Sequence, residues 1–173
     1  IMHRMTAISV DDELFNLNLI EEMADMLKLN VVSFQDPRKA AIYAAQNEID
    51  MAFVDYLMPH MDGISLIKYI RALHLEIPII IITGENSREI KIKALEEGAN
   101  EFLTKPLDIV EFEARGKNML VLREYQRLMK NQARFLEKEV KNATSNLLKR
   151  ENETLQILGK AAEYKDPETA NHV

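Results

Sequence analysis

The chain contains no cysteine among its 173 residues. That excludes disulfides, thiol catalysis and cysteine-ligated zinc, and it fits a reducing cytoplasm. Long apolar runs are also missing: none approaches the ~18 residues of a membrane span, and the N-terminus has no signal-peptide pattern. The expected setting is therefore cytoplasmic, with no membrane partner. Positive charge is in deficit, with 22 Lys/Arg against 28 Asp/Glu. The imbalance is uneven. Residues 122–165 hold ten Lys/Arg and six Asp/Glu, which leaves about −10 on everything else. An acidic body argues against nucleic-acid binding. The basic tail has its charges interspersed at helical spacing, as on a solvated helix.

What is present is a core-forming chain, 47% hydrophobic and 29% charged. This suffices for one domain of ~100–150 residues and an appendage. "TAISV" (6–10) reads as a strand and "ELFNLNLIEEMADMLKL" (13–29) as a helix, with Leu14, Leu17, Ile20, Met23, Ala24 and Leu27 on one stripe. Strand "VVSF" (31–34) precedes a helix opened by Asp36 as cap and Pro37 at its first position. Strand "MAFVD" (51–55) precedes helix "ISLIKYIRAL" (64–73). "IPIIIIT" (77–83) is apolar throughout, the mark of a central parallel strand covered on both faces. A helix from about Ser87 to Glu97 stops at Gly98, and strand "EFLT" (101–104) leads to a helix begun by Asp108, with Glu111 completing a capping box. Five successive β-α units predict an α/β fold: a doubly wound open parallel sheet with helices on both faces.

Beyond these units a helical pattern runs from about residue 118 to 164, longer than a globular helix needs. Steps of three and four connect Leu122, Tyr125, Met129, Gln132, Leu136, Val140, Ala143, Leu147, Glu151, Thr154, Leu158 and Ala161. Consecutive fours at Leu136–Val140 and Leu147–Glu151 are stutters. The stripe predicts a long C-terminal helix forming a parallel two-stranded coiled coil, hence a homodimer; the alternative is a helix folded back on its own body. Gly116, inside the join, is expected to weaken the helix by roughly 1 kcal/mol and to mark a bend.

The strand ends carry the chemistry. The first strand delivers Asp11 and Asp12, the third Asp55, the fourth Thr83 and the fifth Lys105 followed by Pro106. In a parallel sheet these share one rim, where sites of such folds lie. Three crowded carboxylates repel unless they hold a cation, and hard oxygen donors select Mg²⁺ or Mn²⁺. A hydroxyl and an ammonium opposite the metal suit the equatorial oxygens of a phosphoryl group. Asp55 then becomes a nucleophile that forms an aspartyl phosphate. Taken singly, each residue has an ordinary role: a surface acidic pair, a turn hydroxyl, a solvated lysine.

On "VDDE" (10–13), "VDYLMPHMDG" (54–63), "IIITGE" (80–85) and "ALEEGANEFLTKP" (94–106), residues 5–121 resemble the receiver domain of two-component response regulators. The resemblance implies a flavodoxin-like strand order 2-1-3-4-5 and Asp55 as phosphoacceptor. It implies Mg²⁺ held by Asp12, Asp55 and the backbone carbonyl of Leu57, with Asp11 acting through water. Thr83 and Lys105 become phosphoryl ligands, the peptide before Pro106 cis, and Phe102 the aromatic switch, although ordinary core packing accounts for that ring equally well. Leu57 and Glu85 fall at variable positions expected to tune phosphate lifetime. The implied partner is a sensor histidine kinase or phosphotransfer protein.

Residues 122–160 are then a signalling coiled coil, and 161–173 the first residues of an output domain. "AAEYKDPETANH" (161–172) resembles the opening of the HD-GYP group of metal-dependent phosphohydrolases, which hydrolyse cyclic di-GMP. That resemblance makes Glu168 and His172, four apart, the first of several metal ligands; a solvated terminal turn is the plainer alternative. The His-Asp pair and Gly-Tyr-Pro motif of that group do not occur here, so no phosphodiesterase activity is expected of these residues. Two other functions compete with the receiver. One is a cation-binding dimerisation module that is never phosphorylated. The other is a phosphatase that forms an aspartyl phosphate, although haloacid-dehalogenase-type enzymes want an acid where Leu57 stands.

Overall fold

The computed structural model describes residues 4–73, 75–84 and 88–169, the side chains of 165–169 excepted. Strands and helices alternate throughout: β1 (Thr6–Val10), α1 (Leu14–Met26), β2 (Asn30–Phe34), α2 (Pro37–Gln46), β3 (Met51–Asp55), α3 (Gly63–Ala72), β4 (Ile79–Thr83), α4 (Arg88–Glu96), β5 (Glu101–Thr104) and α5 (Ile109–Thr169). The five strands form one parallel sheet in the order β2-β1-β3-β4-β5, as expected. β3 and β4 are buried at every position, so neither shows the polar alternation of a half-exposed strand. The pleat divides the core in two. Ile8, Val10, Val54, Ile79 and Ile81 pack with α2, α3 and α4, while Ala7, Phe53, Ile80 and Ile82 pack with α1 and α5.

Local chemistry sets the helix ends. The Asp36 carboxylate accepts from Arg38 N–H ahead of α2, Asp62 from Ser65 N–H ahead of α3, and Asp108 from Val110 and Glu111 N–H ahead of α5. Glu111 does not turn back to complete the expected capping box; its carboxylate takes Arg115 one turn on. Past α4, Gly98 sits at φ +116° and Ala99 N–H returns to Ala94 O, a Schellman stop. α1 ends the same way, with Lys28 at φ 58° and Leu29 N–H returning to Ala24 O. This stop, made without glycine, explains why the helix expected to run to residue 29 closes at Met26. Leu14 also departs from expectation: it is 58% exposed, while Leu17, Ile20, Met23 and Ala24 are buried.

The chain divides into two compact units, Ile1–Gln126 and Arg127–Val173. Within the first, α5 lies on the sheet. Phe112 stacks on Phe53 with ring centroids 5.1 Å apart. Gly116 is buried, and a Cβ there would collide with Leu27 Cδ1. The glycine therefore serves a close approach to the end of α1, and α5 is helical through it. Two to three turns further, Arg123 pairs with Asp50 at 3.0 Å and Gln126 donates to Glu76 O at 2.8 Å. Within the second unit the helix runs to Thr169, and every described side chain from residue 128 to 164 is exposed.

Candidate acidic site at the strand ends

β1 hands over at Val10 to Asp11, which is buried, and Asp12, which is exposed. Asp11 is pinned from both sides: its N–H donates to Phe34 O at 3.1 Å, and its carboxylate accepts from Glu13 N–H at 2.9 Å. β3 ends on Asp55, only 4% exposed. Lys105 arrives from the loop after β5, whose peptide to Pro106 is cis, and its N–H donates to Thr83 O at 2.9 Å. Its ammonium lies 3.2 Å from both Asp11 and Asp55, bridging the two buried acids. Carboxylate oxygens of Asp11, Asp12 and Asp55 all fall within 4.8 Å of one another. Thr83, buried, closes β4 on the same rim.

The electrostatics follow from this crowding. Burial first, and then the charge of Asp11, push the Asp55 carboxyl up to about 6, against the pull of Lys105. Burial also works against the Lys105 ammonium, but Asp55 and Asp11 outweigh it and hold that group above its ordinary value. Three carboxylates cluster around an ammonium that bridges only two of them, a set of hard oxygen donors short of positive charge. That set fits a divalent cation of the Mg²⁺ or Mn²⁺ kind.

Leu57 lies two residues past Asp55 in the same loop, its side chain 60% exposed. Phe102 is half-buried on β5, packed against the α2–α3–α4 side of the core. Glu85 and His172 lie outside the described residues, as does the side chain of Glu168.

Two residues that shape this loop went unnoticed in the sequence. Gly63 brings the start of α3 against the end of β3: its N–H donates to Tyr56 O at 2.8 Å, and a Cβ would collide with the Asp55 carbonyl. A glycine directly after a helix-capping aspartate was the available signal. His60 takes a left-handed conformation, φ 72°, where a side chain is strained.

A parallel 2-1-3-4-5 sheet with clustered acids, a threonine and a lysine at its carboxyl ends defines a class, and the family model agrees. Residues 7–116 match the response regulator receiver domain, and the chain belongs to that family. It is 36% identical over 172 residues to the cyclic di-GMP phosphodiesterase response regulator RpfG of Xanthomonas campestris pv. campestris, covering 96% of this chain and 45% of that protein. The chain thus spans less than half of this relative. Among solved structures, a Francisella receiver domain (response regulator 1452) superposes with a TM-score of 0.64 at 28% identity, covering 71% of this chain and 99% of that one. The receiver domain of the sensor histidine kinase PA1611 from Pseudomonas aeruginosa superposes with a TM-score of 0.61 at 26% identity, covering 68% and 98%. That structure has a magnesium ion coordinated in its active site cleft. Among the described residues, no helix is long and apolar enough to cross a membrane.

Proposed function

We propose that Asp55 accepts a phosphoryl group from a phosphohistidine on a sensor kinase or phosphotransfer protein, and that the change is relayed through α5. One observation carries this: a nearly buried carboxylate at the end of β3, 3.2 Å from a bridging lysine and within a cluster of three acids, in a chain of the receiver family. An Asp55 oxygen attacks phosphorus in line, the P–N bond breaks, and the imidazole leaves as an aspartyl phosphate forms. Asp11, Asp12, Asp55 and the Leu57 carbonyl would hold Mg²⁺ or Mn²⁺, which when bound supplies the charge neutralisation this transfer needs. Lys105 turns from Asp55 to the incoming phosphoryl oxygens, and the Thr83 hydroxyl donates to another. The added charge, near −2, draws Thr83 inward and frees space on its face of the sheet for the Phe102 ring.

The exposed stripe of the second unit gives this signal a recipient. Leu136, Val140, Leu147 and Leu158 are each at least 60% exposed, at spacings of three- and four-residue steps. A second copy of the same helix in parallel covers such a seam and makes the chain a homodimer. Thr154, within the seam, satisfies its hydroxyl on Arg150 O at 3.0 Å and can turn its methyl to a partner. Similarity to RpfG along nearly the whole chain supports an HD-GYP-type phosphodiesterase as the output. In this reading that chemistry belongs to residues beyond these 173; Glu168 and His172 are its first metal ligands, and the present residues perform only self-phosphorylation and its reversal.

Intact mass after incubation with acetyl phosphate and Mg²⁺ tests the acceptor. One phosphoryl group on the wild type and none on Asp55→Asn is the expected result. Equal gain in both places the acceptor elsewhere, and no gain in either favours a cation-binding module that is never phosphorylated.

A further inference from the structure

Phe102 is held by more than apolar packing. Lys91 Nζ, from α4, stands 4.4 Å from the centre of its ring, and Arg115 Cζ, from α5, stands 5.2 Å from it. Both distances fall within the ~6 Å over which a cation is attracted to an aromatic ring. The arginine is itself fixed, paired with Glu111 at 3.0 Å and with Glu101. Glu101 closes the circuit: the oxygen that holds Arg115 also accepts the N–H of Phe102 at 3.0 Å. One carboxylate therefore sets both the backbone of the aromatic residue and a cation near its ring. Two helices and a strand meet at a single side chain.

The position of that side chain matters. Phe102 pairs in register with Ile81, and Thr104 with Thr83, so ring and threonine lie on the same face of neighbouring strands. A ring that moves toward the Thr83 end must leave its cations behind. We propose that Lys91 and Arg115 are positioning residues: they clamp the Phe102 ring from two helices and set how readily it moves when Asp55 is modified. This rests on the receiver function proposed above. The clamp weights the equilibrium toward the unmodified state, so each cation opposes the uptake of a phosphoryl mimic at a site it does not touch. It also ties α4 and the first turns of α5 to one ring, so release of the ring frees both helices together.

The test is the affinity of the full chain for beryllofluoride with Mg²⁺. Phe102 is replaced in turn by 4-fluoro-, 3,5-difluoro- and 3,4,5-trifluorophenylalanine. Fluorine drains negative charge from the ring face stepwise with little change of shape, so cation–π attraction weakens while packing is kept. We expect affinity to rise along the series, Lys91→Met to raise it about two- to five-fold, and Lys91→Arg to restore it. In a Lys91→Met background the fluorine series flattens, because one of the two cations is gone. A wild type that binds the mimic while the fluorine series leaves affinity unchanged or lowers it overturns the clamp and leaves the receiver function standing. A wild type that does not bind the mimic overturns both.

Discussion

Phe112 and Phe135 belong to one helix, yet they live in different physical circumstances. Phe112 is 1% exposed and stacks on Phe53 in the core of the first unit; Phe135 is 63% exposed in the second. Over residues 109–126 the helix is held by packing, a collision-tight glycine at 116, an ion pair and a hydrogen bond to a backbone carbonyl. Over residues 128–164 nothing described is buried. The first stretch draws its stability from contacts within the chain. The second leaves an apolar stripe exposed, and under the proposed function it draws its stability from association. Helical pattern alone does not distinguish them; the chemistry of what each faces does.

Substitutions sharpen this contrast. The largest effect belongs to Phe112→Ala, which empties a buried ring site and should destabilise the chain by about 3–5 kcal/mol. In urea unfolding that loss should be the same at every protein concentration. Phe135→Ala should change the unfolding midpoint by less than about 0.5 kcal/mol in dilute solution, with any further loss appearing only as concentration rises into the dimer range. A concentration-independent loss of several kcal/mol at Phe135 would erase the distinction between the units. His60→Gly gives the smallest effect: relief of a left-handed backbone at an exposed loop position should stabilise the chain by about 0.5–1 kcal/mol, read as a higher urea midpoint.

Much of the first unit was legible because its signals are short-range. Alternation of period, caps at Asp36 and Asp108, and the unbroken "IIIIT" each need only a few neighbouring residues. The acids at the strand ends could be brought together on paper because parallel order puts every strand's carboxyl end on one rim. What escaped depends on partners distant in sequence. Gly116 reads as a weak point until Leu27 is seen beneath it. Leu14 fits a helical stripe and yet lies at the rim, where the sheet no longer covers it. The end of α1 is hidden because a lysine does a glycine's work. Lys91, Glu101 and Arg115 look like solvated charges until the fold brings them to Phe102.

The reactivity proposed for Asp55 is tied to the cost of burying its charge. The folded carboxyl keeps its proton to about pH 6, whereas an ordinary one ionises near 3.8. The folded state therefore binds more protons in between, so this group's contribution to stability falls as pH rises from about 4 to about 6 and stays low above. At roughly 1.4 kcal/mol per unit, that amounts to 2–3 kcal/mol. Urea unfolding of wild type and Asp55→Asn at pH 4 and 7.5, in EDTA and in Mg²⁺, reads it directly. In EDTA the variant should be about 2 kcal/mol more stable than wild type at pH 7.5 and near wild type at pH 4, and Mg²⁺ at pH 7.5 should stabilise the wild type far more than the variant. An Asp55→Asn protein that is less stable than wild type in EDTA at pH 7.5, or that gains as much from Mg²⁺, would contradict this.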